Sequence, residues 1–249
     1  MDQRPILTMT DISKQYGAVV ALEGVGFELY RGEVLGLAGD NGAGKSTLMK
    51  ILAGVYRPTR GTIAIGQDEV AFANPADAIG QGIQMIYQDL AVADNIDVVG
   101  NVFLGRERSK RILGGLISIL DERAMEEQAR QALDRVEIDI GSVRTPVENL
   151  SGGQRQAVAI ARAISAQAQI VIMDEPTAAL GVSESRQVMG VIRDLKEKGI
   201  AIIFVSHRLE DICAVADRVV VLKGGKKVGD RPIADISLEQ LRRLIVEGV

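Results

Sequence analysis

The stretch Gly39-Asp40-Asn41-Gly42-Ala43-Gly44-Lys45-Ser46-Thr47 sets two glycines around four residues and follows them with a lysine and two hydroxyls. Such a run suits a backbone that must wrap around phosphate. Glycine leaves room for several N–H groups to converge on one anion. A helix opening at Lys45 adds partial positive charge at its first turn. Lys45 would then meet the β- and γ-phosphates of a nucleoside triphosphate, and the Ser46 hydroxyl would ligate Mg²⁺. All nine residues from Gly39 to Thr47 are candidate nucleotide contacts.

A second cluster complements the first. Ile170-Val171-Ile172-Met173-Asp174-Glu175 is an apolar run ending in two carboxylates. In a parallel sheet the ligand lies beyond the carboxyl ends of the strands. Asp174 would hold Mg²⁺ directly or through water, and Glu175 would orient or deprotonate the attacking water. The same two residues would also serve as an acidic start for the next helix. With a phosphate loop upstream, the chemistry expected is ATP hydrolysis, in which positioning and electrostatics carry most of the catalysis.

These residues need a scaffold. Strand-length apolar runs occur at 6–10, 19–30, 34–38, 61–65, 83–87, 170–173, 200–205 and 219–222. Helical spacing occupies 45–53, 183–198 and 208–216. Runs that are apolar throughout belong to strands buried on both faces, and their alternation with helices predicts an α/β fold with a mainly parallel sheet. Between about 91 and 166 no strand is expected. Helices beginning at the N-caps Asp121 and Ser151 predict a helical subdomain there. The single domain 1–249 is thus expected to divide into a core of 1–90 with 167–249, and the insert 91–166.

Composition narrows the function. Of 249 residues 47% are apolar, enough for a sizeable core, but aromatics are only 3% and Trp is absent. The core must therefore be built from aliphatic side chains. A net charge of −4 argues against a nucleic-acid partner, which calls for clustered Lys and Arg. One cysteine, Cys213, excludes an internal disulfide and fits a reducing compartment. No secretory signal is evident, and the apolar run 112–120 is too short for a bilayer, which takes about 20 residues. A cytosolic protein that reaches membranes through a partner is expected.

Leu150-Ser151-Gly152-Gly153-Gln154 starts a helix, and its capped N–H groups form a further anion site in a domain with one phosphate loop. An ordinary Ser-capped helix would look similar. The three motifs in this order, over about residues 7–229, resemble the ATP-binding subunit of ATP-binding-cassette (ABC) transporters. The resemblance implies a P-loop NTPase with a RecA-like sheet, an N-terminal antiparallel β part and an inserted α-helical subdomain. It implies that Ser151, Gly152, Gly153 and Gln154 of one copy close over the γ-phosphate held by another, in a head-to-tail homodimer. It places Tyr16 against adenine, Gln88 on Mg²⁺ and water, and His207, the only histidine, on the γ-phosphate. Its partners would be integral membrane permease subunits and, indirectly, a periplasmic or extracellular sugar-binding protein, with this chain peripheral at the cytoplasmic face of the inner membrane.

One position departs from the pattern. After Pro176-Thr177-Ala178-Ala179-Leu180 the family commonly has Asp, and this chain has Gly181, which puts coupling of the two sites through that position in doubt. The same Gly, and the segment Asn101-Val102-Phe103-Leu104-Gly105-Arg106-Glu107, resemble the monosaccharide-importing branch (ribose, xylose and fructose types). No regulatory C-terminal domain is expected, and a single cassette would have to dimerise. The basic residues Arg106–Arg111, followed by 112–120, read as a docking surface for the membrane partner or as a surface loop leading into the subdomain core. Two other functions stay open: a soluble cassette ATPase acting on nucleic acid or ribosomes, and a non-hydrolysing regulatory subunit.

Overall fold

The computed structural model describes residues 4–87, 89–112, 117–136, 138–178 and 180–248. Strands β1 (Leu7–Tyr16), β2 (Val19–Leu29), β4 (Arg60–Ile65) and β5 (Asp68–Val70) form an antiparallel sheet in the order β2-β1-β4-β5. A six-stranded sheet of order β12-β11-β3-β10-β9-β6 contains β3 (Val34–Gly39), β6 (Ile83–Ile86), β9 (Ile170–Asp174), β10 (Ala201–Val205), β11 (Arg218–Lys223) and β12 (Lys226–Pro232). Every pairing in it is parallel except β11 with β12.

Period-two alternation explains the uninterrupted apolar runs. Ile170 and Ile172 of β9 join a core with α1 (Lys45–Leu52) and the antiparallel sheet. Val171 and Met173 face the opposite side, where α5 (Gly152–Ser165), α6 (Val182–Glu197), α7 (Leu209–Val215) and α8 (Leu238–Val246) pack. Both faces exclude water, so neither needs polar residues. Full burial of each such aliphatic side chain contributes about 1.5–3 kcal/mol. Arg218 ties the two sheets together. Its guanidinium donates to Glu33 Oε1 at 2.8 Å, Asp230 Oδ1 at 2.7 Å and the Glu28 carbonyl at 2.5 Å.

Beyond the short helix α2 (Pro75–Gly80), in the middle of the chain, α3 (Val98–Phe103), α4 (Glu122–Asp134) and α5 pack together through Val99, Val102, Met125, Ala129 and Ala157. The expectation of no strand there is corrected. β7 (Ser109–Ile112) and β8 (Ile117–Leu120) pair as an antiparallel hairpin. Nor does the apolar run lead into the core: Ile117, Ile119 and Leu120 are 45%, 40% and 52% exposed. Isoleucine favours extended backbone as readily as burial. Residues 113–116 of that run lie outside the described residues.

Strand β1 also outruns its expected end by six residues. Register shifts along its pairings with β2 and β4, with Asp11 at φ 53°, break the apolar alternation that the sequence offers. β12 and α8 were not expected; β12 is a half-exposed, lysine-bearing edge strand without an apolar signal.

Candidate nucleotide-hydrolysis site

The phosphate loop leaves the carboxyl end of β3 and enters α1. At Gly39 (φ 151°) an added Cβ would collide with the Leu222 carbonyl of β11 and come within 3.0 Å of Ala43. At Gly44, the N-cap of α1 with φ 102°, a Cβ would lie 2.6 Å from Leu22 Cδ2. Backbone sterics and neighbour packing together demand glycine at both places. Lys45 folds back over the loop: its ammonium donates to the Gly39 carbonyl at 2.6 Å and the Asp40 carbonyl at 3.0 Å. Burial pulls this ammonium below the ordinary lysine range, and the charges of Glu175, Asp174 and Asp40 oppose that shift.

Asp174 closes β9, next to Val205 of β10. Burial, then the charge of Glu175, raises its carboxyl above the usual range, while Lys45 and Lys50 pull it back. Glu175 follows with φ 53°, left-handed backbone that a non-glycine residue holds only when its surroundings impose it. Here its N–H donates to the Val205 carbonyl at 2.9 Å. That turn aims the side chain at His207, whose Nδ1 donates to Glu175 Oε2 at 2.7 Å. The bond leaves the histidine Nε2 edge and the second carboxylate oxygen for a ligand.

A link absent from the motifs connects these two residues from behind. Thr177 Oγ1 donates to Asp211 Oδ2 at 2.7 Å in a buried setting. The segment after Glu175 is thereby tied to the first turn of α7, which starts two residues after His207. The sequence signals Asp211 only as an acid favourable in a helix's first turn.

A cavity of about 330 Å³ opens beside the loop, lined by Gly39, Asp40, Asn41, His207, Leu209 and Arg242, among others. Tyr16 stands at the end of β1, 41% exposed, its hydroxyl beside Thr47 and its ring edge-to-face with Tyr56 at 5.7 Å. Ser151 accepts from the Gln154 N–H at 3.3 Å while the Gln154 side chain accepts from the Ser151 N–H at 3.0 Å, a reciprocal cap. Gly152 adjoins Leu180, and Gly153 adjoins Glu184, whose carboxylate accepts from the Gly181 N–H at 2.8 Å. Among the described residues the hydrogen bonds of this motif run to Asp139 and its own turn, not to the phosphate loop. The structure thus gathers Lys45, Asp174, Glu175 and His207 in one place and sets the Ser151 turn elsewhere. Gln88 lies outside the described residues.

The residues present fit Mg²⁺ rather than a transition metal. Among the described residues no cluster of three His, Cys, Asp or Glu side chains is positioned to enclose an ion. Mg²⁺ asks for less, taking one or two protein oxygens and leaving the rest to phosphates and water. The Ser46 hydroxyl and the Asp174 carboxylate, with a second carboxylate at Glu175, supply hard oxygen donors, and the mutual repulsion of the two carboxylates favours a cation beside them.

The family profile for the ABC transporter matches residues 22–178. The chain belongs to the ABC transporter family, and as such it is an ATP-binding cassette whose reaction is ATP hydrolysis. Among its relatives, a xylose/arabinose import ATP-binding protein of Sulfolobus acidocaldarius is 42% identical over 96% of this chain and 93% of its own length. A fructose import ATP-binding protein of Rhizobium meliloti is 44% identical over 92% and 88%. A ribose import ATP-binding protein of Rubrobacter xylanophilus is 40% identical over 97% of this chain, which spans only 46% of that longer protein. A nucleotide-free cassette from an ABC transporter, solved by crystallography, superposes with a TM-score of 0.84 at 25% identity over 98% of both chains. Among the described residues no helix is long and apolar enough to cross a membrane.

Proposed function

We propose that this chain is the ATP-hydrolysing subunit of a membrane importer for a simple sugar, a pentose or a hexose. The convergence of Lys45, Asp174, Glu175 and His207 at the carboxyl ends of β3, β9 and β10 carries the hydrolytic part. The xylose/arabinose, fructose and ribose import relatives support the sugar.

Tyr16 stacks on adenine, and the loop from Gly39 to Thr47 wraps the phosphates. Lys45 exchanges its two carbonyl acceptors for β- and γ-phosphate oxygens. Glu175, oriented by His207, accepts a proton from the water that attacks the γ-phosphorus as ADP departs. Ser46 and Asp174, with Gln88, would hold Mg²⁺, which when bound neutralises charge on the phosphate oxygens. The N–H groups at Ser151, Gly152, Gly153 and Gln154 complete the γ-phosphate contacts of a second copy, so the working unit is a head-to-tail homodimer. Residues 91–166 form the helical subdomain that carries this turn, inserted in a core of 1–90 with 167–249. Closure of the dimer acts on permease subunits at the cytoplasmic face of the membrane, and a sugar-binding protein on the other side delivers the solute.

Reconstitution tests the proposal. With permease and loaded binding protein in vesicles, ATPase activity should rise and a labelled pentose or hexose should accumulate. Glu175→Gln should keep ATP binding and lower turnover roughly 10²–10⁴-fold. Unstimulated ATPase with no uptake across a panel of pentoses and hexoses would overturn it.

A further inference from the structure

Four polar contacts converge where the base of the nucleotide is expected. The Lys14 ammonium donates to the Arg57 carbonyl at 2.7 Å. Gln15 N–H donates to Thr59 Oγ1 at 3.1 Å, and Thr59 N–H donates to the Ser13 carbonyl at 2.8 Å. These three bonds lay the segment 57–59 across the last residues of β1. The fourth contact comes from the other side, where Tyr56 N–H donates to the Lys50 carbonyl of α1 at 3.2 Å. Tyr56 is thus held at both flanks, between the helix that begins with Lys45 and the strand that ends with Tyr16.

The outcome is a specific ring geometry. Tyr16 and Tyr56 meet at 77°, with centroids 5.7 Å apart, the edge-to-face arrangement that the aromatic quadrupole favours. The Lys14 ammonium sits 5.1 Å from the centre of the Tyr16 ring and 5.9 Å from that of Tyr56, within cation–π range of both. Lys50 stands 5.9 Å from Tyr56. Yet Tyr56 is 37% exposed and Tyr16 41%, so hydrophobic burial does not account for the pair. An exposed tyrosine at a strand end would otherwise sample several rotamers, and a base stacking on it would have to stop that motion.

We propose that Tyr56 is a positioning residue for the base subsite: with Lys14 above both rings, it holds Tyr16 in the orientation on which the base stacks. This rests on the assignment of Tyr16 to the base. Stacking on a fixed ring is tolerant of base identity, because every base has a π-face. The subsite therefore selects for a purine or pyrimidine over none rather than for adenine over guanine. Tyr56 should matter to any nucleoside triphosphate and not to a bare polyphosphate.

Calorimetric titration of the 249-residue Glu175→Gln chain with ATP, GTP and inorganic tripolyphosphate, each with Mg²⁺, provides the test. Loss of an aromatic pair corresponds to about two- to tenfold in affinity. Tyr56→Ala should weaken ATP and GTP by that factor and leave tripolyphosphate unchanged, and Tyr56→Phe, which keeps the ring, should bind as the parent does. Among the chain's four tyrosines, with no tryptophan present, tyrosine emission quenched by ATP should shrink in Tyr56→Ala. If Tyr16→Ala weakens ATP but Tyr56→Ala does not, or if Tyr56→Ala weakens tripolyphosphate equally, the positioning role is wrong. If Tyr16→Ala leaves ATP affinity intact, the assignment of Tyr16 itself falls.

Discussion

Burial acts on Lys45 and Asp174 in opposite directions, lowering the first and raising the second, and in each it disfavours the charged form. For Asp174 the folded value exceeds the unfolded one. Its contribution to stability is therefore present below the ordinary carboxylate range and lost as pH rises through the raised value. At neutral pH the ionised carboxylate burdens the fold, a familiar cost of a charged active site. Asp174→Asn should accordingly melt at or above the parent without nucleotide at pH 7, with the gap closing toward pH 3, while ATPase is lost. A variant that melts lower at pH 7 would show that its attraction to Lys45 outweighs burial. At this scale the sequence was legible wherever motif spacing demands one residue type, as at Gly39, Lys45 and Asp174. It was silent where the requirement arises from a neighbour distant in sequence. The left-handed backbone at Glu175 depends on the Val205 carbonyl, and the Thr177–Asp211 bond joins residues 34 apart.

Helices α5 and α8 start with the same Ser–Gln device. Ser151 and Gln154 cap α5, and Ser237 and Gln240 cap α8 with the same reciprocal bonds. Removing either hydroxyl should destabilise the fold by about 1 kcal/mol. Only the α5 turn is assigned a nucleotide contact. Ser151→Ala and Ser237→Ala should therefore show similar losses in urea midpoint, while ATPase falls several-fold in Ser151→Ala alone. Equal ATPase losses would reduce the Ser151 turn to an ordinary cap. Among elements, β3, β9, β10 and β11 were legible because both their faces are buried and the signal is composition alone. The β7–β8 hairpin was not: Ile117, Ile119 and Leu120 are apolar yet exposed, and apolarity without period does not separate a surface strand from a core segment.

At the scale of the molecule, the proposed nucleotide contacts come from both sheets and from α1, so binding should brace all three. A ligand at 100 times its Kd stabilises the folded state by about 2.7 kcal/mol. For a chain of this length that corresponds to a rise in Tm of about 5–10 °C. Scanning calorimetry with saturating Mg²⁺ and ATP should show this rise, and Lys45→Ala should abolish most of it. An unchanged Tm for the parent would mean that the loop does not hold nucleotide in the isolated chain. The α/β architecture was legible from alternating runs, whereas the antiparallel sheet was only half visible, since bulges in β1 hide its period. One feature of the loop also bears on time. Lys45 already donates to the loop's own carbonyls, so receiving a phosphate there is an exchange of hydrogen-bond acceptors. One side chain changing acceptors is a local event, whereas collective domain motions take microseconds to milliseconds. If two copies close over the nucleotide as proposed, the pace of the cycle is set by how they meet and part rather than by how one of them receives its nucleotide.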